Sequence, residues 1–335
     1  MAADAPAPGA WSKTLAPYRE PKTGRSIFEI VITAVPLLTI WAIAWALLAR
    51  GWWWAALLLT VPAAGFLIRL FMIQHDCGHG SFFGPRQAND WVGRVIGVFT
   101  LTPYDYWRQT HAIHHATSGN LDRRGLGAIG MLTVDEYAAL PPLRRLGYRL
   151  YRHPLVMFGL GPAYVFFIEQ RLPIGLMRQG WRPWASVLGN GLAVLVGLGG
   201  LVWLFGAAPV LIVNVITMLL AATIGVWLFY VQHQFEGAVW ARNGEWKRDA
   251  SALTGSSHYD LPPVLRWFTA NIGIHHVHHL SSRIPFYRLT RVLKDHPELR
   301  DVSRVRLWES FRFARLSLWD EAAGRLVSFR EAKSA

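Results

Sequence analysis

The stretch "NIGIHHVHHL" (residues 271–280) concentrates four histidines in ten residues of an otherwise apolar chain. Within it His275, His278 and His279 stand at positions i, i+3 and i+4, which lie on one face of a helix. His276 lies about 100° around the same helix from His275, at 3.6 residues per turn. The spacing therefore predicts that three imidazoles converge on one site, while His276 lies beside that site or on the surface.

Two earlier stretches have the same character, "QHDCGHGS" (residues 74–81) and "QTHAIHHATSGN" (residues 109–120). Their histidines, again three or four residues apart, are His75 and His79 in the first, and His111, His114 and His115 in the second. Each of these three histidine clusters, called boxes below, can direct two or three imidazoles toward one point. A ninth candidate, His233, follows directly on an apolar run.

The composition is that of a membrane protein. Of the 335 residues, 52% are hydrophobic and 16% are charged, whereas soluble domains carry about 25% charged residues. The 17 tryptophans fit extensive membrane–water interfaces, where indole rings settle. The net charge is +13, and the basic residues flank apolar spans. This arrangement favours lipid headgroups over nucleic acid as the partner. The single cysteine excludes an intrachain disulfide.

Four apolar segments are long enough to cross a bilayer, and they form two hairpins. They cover residues 30–48, 52–68, 184–205 and 209–231. A helix that continued from residue 52 to His79 would rise about 40 Å, against about 30 Å of hydrocarbon, so its histidines would stand above the bilayer. We therefore predict an all-α integral membrane protein with four transmembrane helices and a helical cap that carries the histidines.

Lysine and arginine set the orientation of such a chain in the membrane. Nearly all of them lie before, between and after the hairpins, which predicts that the hairpins open to the cytoplasm and that the cap is cytoplasmic. The predicted organisation is a cytoplasmic lead over residues 1–26, a membrane domain over residues 27–300 and a cytoplasmic or interfacial segment over residues 301–335.

Three other segments are predicted not to span. Residues 91–103 are too short, and residues 155–172 contain a proline and a glutamate, so both are interpreted as interfacial or re-entrant. Residues 303–319 mix arginine with leucine and aromatic residues at helical spacing. That pattern predicts a helix that lies on the membrane surface or packs on the protein's own cap.

The clustered histidines predict a metal site. Imidazole binds iron, zinc, copper and nickel, and nine imidazoles are too many for one such ion but suit two. A structural zinc site favours cysteine, and dinuclear hydrolases mix in carboxylates, so redox iron held mainly by nitrogen is the preferred interpretation. The isolated histidines are interpreted as loop or surface residues, namely His153, His258 and His296.

The three boxes and the spans between them resemble the membrane-bound fatty acid desaturase family over roughly residues 27–293. The wording "HDCGHGSFF", "HAIHHATSGNLDRRG" and "HHVHHLSSRIPFYRL" is most similar to bacterial acyl-lipid desaturases of the delta-12 or omega-6 type. The resemblance implies two catalytic iron ions with the following ligands: His75, His79, His111, His114, His115, His233, His275, His278 and His279. Animal stearoyl-coenzyme A desaturases add an asparagine ligand at the position of Phe229, and Asn271 is the candidate substitute here.

The implied reaction removes two hydrogens from adjacent carbons of a fatty acyl chain, with O₂ as co-substrate. A hydroxylase, a ketolase or an alkane monooxygenase on the same scaffold is the alternative, because box spacing does not separate these activities. A metal transporter would carry ionisable residues along its spans, and the four spans are almost free of them.

The resemblance also implies an acyl substrate in a membrane lipid, a place in the bacterial inner membrane and an active site on the cytoplasmic side. Electrons are expected from a separate donor, ferredoxin-like or cytochrome b5-like, because the chain has no cysteine cluster and no haem-binding segment. Candidates for orienting the metal ligands are Asp76, Asp122 and Asn271. Candidates for lining the acyl chain are Tyr104, Trp107, Trp227 and Tyr230.

Overall fold

The computed structural model describes residues 10–333, which are mainly helical. The helices of this part are α1 (Ala10–Thr14), α2 (Thr23–Ala49), α3 (Trp53–His79), α4 (Arg86–Phe99), α5 (Tyr104–Thr117), α6 (Val134–Ala139), α7 (Pro142–Tyr151), α8 (Gly161–Phe167), α9 (Trp181–Phe205), α10 (Ala207–His233), α11 (Arg248–Thr254), α12 (Pro263–Phe268), α13 (His275–Leu280), α14 (Phe286–Asp295) and α15 (Leu307–Phe313). Its short strands are β1 (Leu132–Thr133), β2 (His258–Asp260), β3 (Arg304–Arg306), β4 (Leu318–Asp320) and β5 (Arg325–Val327). A π-helical turn covers Val156–Leu160, and 3₁₀ turns cover Ala16–Tyr18, Glu169–Arg171, Pro297–Leu299 and Glu331–Lys333. The predicted all-α fold class is confirmed.

Four helices are long and apolar enough to cross a membrane, namely α2, α3, α9 and α10. They form the two predicted hairpins. Gly51 turns the chain between α2 and α3 with a φ of 83°, and Gly206 does so between α9 and α10 with a φ of 87°. Glycine enters this left-handed region without the steric cost that a Cβ atom brings, so both hairpins close within a short turn.

The helix α3 is the centre of the bundle. In the most apolar stretch of α3, 56% of the residues are buried within the protein. In the most apolar stretch of α9, only 6% are buried. Both α3 and α10 are 27 residues long, or about 40 Å at 1.5 Å per residue. Because the hydrocarbon layer is about 30 Å thick, the last turns of both helices extend beyond it.

Two buried glutamines connect the ends of these helices to the segments that precede α5 and α13. Gln74 accepts a hydrogen bond from Thr100 Oγ1 at 2.6 Å and donates one to the carbonyl oxygen of Thr102 at 3.1 Å. Gln232 donates to the carbonyl oxygen of Ile272, also at 3.1 Å. Each glutamine immediately precedes a candidate histidine, so these bonds fix where the next segment of the cap sits relative to that histidine.

The C-terminal region differs from the continuous helix predicted for residues 303–319. This region forms β3, then the seven-residue helix α15, then β4. Strand β3 pairs in parallel with β2, and β4 lies between β1 and β5. The side chains of β3 alternate between exposed and buried, as strand geometry requires. The helix prediction is therefore right for Leu307–Phe313 and wrong on both sides of it.

The other two short segments do not span, as predicted. Helix α4 takes up most of residues 91–103 and packs against α3, α5 and α9, with Trp91 largely exposed. Residues 155–172 are broken into the π-helical turn, α8 and a 3₁₀ turn. Neither is among the spanning helices of residues 10–333. Their placement at the membrane surface stays a prediction.

A buried ion pair joins α2 to α3. Glu29 and Arg69 are 1% and 3% exposed, and the guanidinium of Arg69 donates to the Glu29 carboxylate. Arg69 also donates to the carbonyl oxygen of Trp267 and lies 4.1 Å from the centre of its indole ring. Arg25, whose side chain is exposed, reaches the same carboxylate at 2.6 Å. Since buried charges are costly unless paired, Glu29 depends mainly on Arg69.

Replacing Arg69 with methionine should therefore lower the free energy of unfolding by about 3–5 kcal/mol, because Glu29 would stay buried without its cation. The matched control is Arg25→Met, which removes the exposed cation of the same carboxylate and should cost at most about 1 kcal/mol. Chemical unfolding of the protein in detergent measures both losses. Equal losses in the two variants would contradict the role given to the buried pair.

Candidate metal centre

The nine histidines that the boxes and the fourth span predict as ligands come from four helices. His75 and His79 end α3, His233 ends α10, His111, His114 and His115 lie on α5, and His275, His278 and His279 lie on α13. The structure brings all nine together in two groups, each of which could hold a metal ion.

The first group takes five imidazoles from α3, α5 and α13. Its members are His75, His79, His111, His115 and His278. Neighbouring Nε2 atoms in this group are between 3.1 and 3.3 Å apart. All the candidate ligand atoms lie within 4.8 Å of one another. Three of these five side chains are partly exposed and two are buried.

The second group takes four imidazoles from α5, α10 and α13. Its members are His114, His233, His275 and His279. The Nε2 atom of His233 lies 3.1 Å from that of His114 and 3.0 Å from that of His275, and His279 and His275 are also 3.0 Å apart. All four side chains are buried, so this group is the more enclosed of the two.

Helix geometry explains how the boxes divide between the groups. Residues four apart are rotated by about 40°, and residues three apart by about 60° in the opposite sense. In α5, His111 and His115 share the first group, while His114 belongs to the second. In α13, His275 and His279 share the second group, while His278 belongs to the first. In the two boxes with three histidines, the i+3 histidine therefore crosses to the other group and connects the two.

The separations fit ligands that share an ion. Nitrogen ligands about 2.0–2.1 Å from one metal, at octahedral to tetrahedral angles, are themselves about 2.9–3.4 Å apart. Hydrogen bonds between the rings do not account for the two groups. A neutral imidazole has only one N–H to donate, whereas five Nε2 atoms meet in the first group and four in the second. The Nδ1 atoms of His114 and His275 are buried and find no hydrogen-bond partner in residues 10–333. The donor set therefore fits one metal ion in each group.

Burial keeps these imidazoles neutral. It lowers the pKa of each of the six ligand candidates on α5 and α13 far below the ordinary value, and the neighbouring imidazoles lower it further. The charged form is disfavoured because it would lose its water and repel its neighbours. A neutral imidazole is also the form that binds a metal.

The outward nitrogen is anchored at two of the ligand candidates. His233 donates from Nδ1 to the carbonyl oxygen of Gly255 at 3.0 Å. Nδ1 of His75 lies 3.3 Å from the carboxylate of Asp76, which also accepts the backbone N–H of Phe286 at 2.7 Å. Such contacts fix the ring and leave Nε2 for a metal. The structure thus places Asp76 beside a ligand candidate, and its role in orienting that ligand stays a prediction. Sequence reasoning missed Gly255 because a carbonyl group has no side-chain signal.

The other two predicted orienting residues lie elsewhere. Asp122 accepts hydrogen bonds from Arg242 at 2.7 Å and from the backbone of Asn243 at 2.8 Å, on an exposed surface. Asn271 donates to the carbonyl oxygen of Phe286 at 3.1 Å and has a φ of 58°. Its left-handed backbone turns the chain just before α13. The prediction that these two side chains adjoin the metal ligands is wrong, because both are used to close loops.

Of the four predicted lining residues, Trp107 adjoins the imidazoles. Its ring stacks on His111 with 4.5 Å between centroids and an angle of 14°. A Cβ atom added at Gly78 would lie 2.9 Å from this indole, so the glycine makes room for it. The other three hold the fold through buried or half-buried polar contacts. The hydroxyl of Tyr104 donates to the carbonyl oxygen of Cys77, that of Tyr230 donates to Leu316, and Trp227 donates to the hydroxyl of Tyr259.

A small cavity of about 20 Å³ adjoins the second group. His114 and His233 form part of its wall, and Phe229, Ile129 and Trp240 supply apolar surface. The Phe229 ring lies 5.0 Å from that of His114. Sequence reasoning noted Phe229 only as the residue that replaces an asparagine, whereas the structure gives it a direct contact with the candidate metal centre.

The remaining histidines stay outside both groups. His276 is fully buried and donates to the carbonyl oxygen of Leu299 at 2.8 Å, so the surface position considered for it is wrong. His258 is also buried, within β2, which corrects the prediction of a loop residue. His153 is exposed, as predicted, and His296 is partly covered by Trp11.

Comparisons with known proteins agree with this geometry. A family model described as "Fatty acid desaturase" matches residues 50–311, which include all nine ligand candidates. A Bacillus subtilis "Fatty acid desaturase" is 42% identical over 322 residues, 96% of this chain and 91% of the relative. A Synechocystis "sn-1 acyl-lipid omega-3 desaturase (ferredoxin)" is 29% identical over 260 residues, 75% of this chain and 67% of the relative. An Anabaena variabilis "sn-1 oleoyl-lipid 12-desaturase" is 28% identical over 289 residues, 79% of this chain and 73% of the relative.

The buried imidazoles should make the metal-free protein sensitive to acid. Their pKa is lowered in the folded state, so below about pH 6.5 the unfolded state binds more protons and is favoured. The free energy of unfolding should be constant above about pH 7 and fall as the pH drops below about 6.5. Denaturant unfolding in detergent at a series of pH values measures this.

Two comparisons sharpen this measurement. The control variant for this measurement is His153→Gln, which removes an exposed histidine that lies outside both groups. Bound metal should move the loss of stability to lower pH, because protons and metal compete for the same nitrogen atoms. A stability that stayed flat from pH 7 to pH 5 without metal would disagree with buried, neutral imidazoles.

Proposed function

The chain belongs to the fatty acid desaturase family, a family of membrane-bound oxidoreductases, and on this premise we propose that it is an O₂-dependent di-iron enzyme. Its proposed reaction introduces a double bond into an acyl chain of a membrane lipid. The convergence of nine imidazoles in two adjoining groups, at the ends of spanning helices, is the observation that supports this proposal most strongly.

The proposed ligands are the members of the two groups, five imidazoles for one iron and four for the other. Nitrogen-rich sites suit iron among other metals, and the family match favours iron. The two iron ions supply the oxidising power that an unactivated C–H bond requires. In the overall reaction, O₂, two external electrons and two protons take up the two removed hydrogens as two molecules of water.

The residues of this chain have three tasks in that reaction. The imidazoles hold the metals through neutral Nε2 atoms, and Asp76 and the carbonyl group of Gly255 fix the direction of His75 and His233. Apolar side chains keep water away from the second group, whose four members are all buried. We assign to Phe229 and Trp107 the positioning of the acyl chain, because both rings contact candidate ligands.

The substrate proposed here is an acyl group on a membrane lipid, oxidised at the delta-12 or omega-6 position. Two of the relatives are named for acyl-lipid or oleoyl-lipid substrates, and one of these is named as a 12-desaturase. Four apolar helices already place the chain in a membrane, where such a substrate resides. We further propose the bacterial inner membrane, with the histidines on the cytoplasmic side.

The electron donor is proposed to be a separate protein, ferredoxin-like or cytochrome b5-like. One relative is named as ferredoxin-dependent. The net charge of +13 favours an acidic partner, since opposite charges accelerate encounter between proteins.

Replacing His114 or His278 with alanine should abolish the new double bond and lower the iron content. These two histidines are the ones that cross between the groups, so each loss should disturb both ions. The measurement combines expression in a host without polyunsaturated lipids, mass spectrometry that locates double bonds, and elemental analysis of anaerobically purified protein.

The matched control for this test is His276→Gln in the same box. His276 faces Leu299 instead of the groups, and a glutamine amide can still donate to the same carbonyl oxygen, so this variant should keep both product and iron. The assignment of His114 and His278 as iron ligands is wrong if the alanine variants still form product with unchanged iron content. Insertion of oxygen in place of a double bond by the unmodified protein would reassign the reaction to hydroxylation.

Salt should slow the supply of electrons. Raising the ionic strength from about 0.01 M to about 0.1 M shortens the Debye length from about 30 Å to about 10 Å, so steering of an acidic donor weakens. We expect KM for the donor to rise severalfold while kcat at saturating donor stays nearly constant. Steady-state turnover with purified acidic ferredoxin measures both values. A KM that does not change with salt would exclude electrostatic recruitment.

A further inference from the structure

A basic groove of about 650 Å³ lies where the N-terminal segment meets α14, outside the candidate metal centre. Its walls are formed by Pro17, Tyr18, Lys22, Arg25, Tyr287, Arg288, Arg291 and Asp295. We propose that this groove binds the phosphodiester headgroup of an anionic membrane phospholipid. This inference goes beyond the proposed desaturation, and its test needs no turnover.

The charge of the groove favours an anion. Four cations line it, namely Lys22, Arg25, Arg288 and Arg291, against the single carboxylate of Asp295. Arg25 also contacts Glu29, but that carboxylate is already balanced by the buried Arg69. The groove therefore keeps a surplus of positive charge, and the Arg291 side chain is 75% exposed to whatever enters. Arginine forks match the oxygen geometry of a phosphate group.

The groove lies at the level of lipid headgroups. Lys22 directly precedes α2, the first spanning helix. Large apolar side chains become exposed a few residues later, at Ile27, Phe28 and Val31, which are 52%, 50% and 49% exposed. Such surface belongs in hydrocarbon, so the cations before it stand at the polar boundary. The Arg25 guanidinium lies 5.3 Å from the centre of the Phe28 ring and so spans this boundary.

Hydrogen bonds shape the groove in advance. The backbone N–H of Lys22 donates to the hydroxyl of Tyr287 at 2.9 Å, and Arg288 donates to the carbonyl oxygen of Pro17 at 3.3 Å. The hydroxyl of Tyr18 donates to Asp295 at 2.9 Å. These contacts hold the N-terminal segment against α14. A ligand would therefore meet a site whose two walls are already held together.

Size and shape favour a lipid headgroup over a protein. Pockets for small ligands enclose about 300–1,000 Å³, which includes this groove. A stable protein partner would bury about 800 Å² on each side and would need a wider surface. Two tyrosines in the lining are also typical of membrane interfaces, where their rings are apolar and their hydroxyls stay hydrated.

The test compares the binding of three probes to the purified full chain in neutral detergent. They are short-chain phosphatidylglycerol, short-chain phosphatidylcholine and inorganic phosphate, measured by isothermal titration calorimetry. We expect a clear preference for phosphatidylglycerol. The double variant Arg288→Gln/Arg291→Gln should weaken its binding roughly thirtyfold, as each cation near an anionic lipid contributes about 1 kcal/mol. Lys247→Gln/Arg248→Gln is the control, because it removes two exposed cations at α11, outside the groove.

A second variant keeps the test decisive if the first one folds poorly. Asp295→Asn removes the one carboxylate of the groove and should tighten phosphatidylglycerol binding severalfold. Equal affinity for the two lipids, or an unchanged affinity in both groove variants, overturns the proposal. Inorganic phosphate that binds as tightly as the lipid would mean a site for free phosphate instead. Groove variants that lose an acidic donor protein but keep the lipid would mean a protein-docking surface.

Discussion

The close approach of imidazole nitrogens is the constraint on which the rest of this structure depends. Nε2 atoms about 3 Å apart can coexist only if the rings are neutral, and two of the rings are also held from their far side. Neutrality follows from burial, because a charged ring would lose its water and repel its neighbours. Direction follows from contacts at Nδ1, such as the carbonyl oxygen of Gly255 behind His233. The burial that keeps the imidazoles of the candidate metal centre neutral is also the reason to expect that acid destabilises it.

The membrane determines the height at which the nitrogens meet. Within hydrocarbon every backbone polar group must be hydrogen-bonded, so α3 and α10 continue as unbroken helices. Their last turns extend beyond the hydrocarbon and end in His79 and His233. Gln74 and Gln232 then tie the backbone of the cap to these helix ends. The site is thus held mainly by rigid helices and by few loops, which suits a geometry that tolerates little error.

The periodic features of the chain could be predicted from sequence, and the features that depend on packing could not. Hydropathy predicted the four spans, and i, i+3, i+4 spacing predicted that the boxed histidines converge, but the expectation of one point per box is wrong for the boxes on α5 and α13. Spacing alone does not assign His114 and His278 to the opposite group from their box partners, because that depends on how α5 and α13 face each other. The position of Asp122 near the second box suggested that its carboxylate contacts a histidine, but Arg242 binds this carboxylate instead. The pairing of β3 with β2 overrode the helical pattern after residue 303. The local pattern could not predict this pairing because the two strands are far apart in sequence.

The helix α13 shows how a very short element can carry three ligand candidates. Six residues make too few internal hydrogen bonds for a helix that is stable alone, so α13 needs support from its rear. His276 provides it by donating to Leu299, and the neighbouring His258 donates to Arg300 at 2.6 Å. Both acceptors belong to the turn that leads into β3. The rotation of about 100° that separates His276 from His275 thus divides one box between candidate metal ligands and a residue that supports the fold.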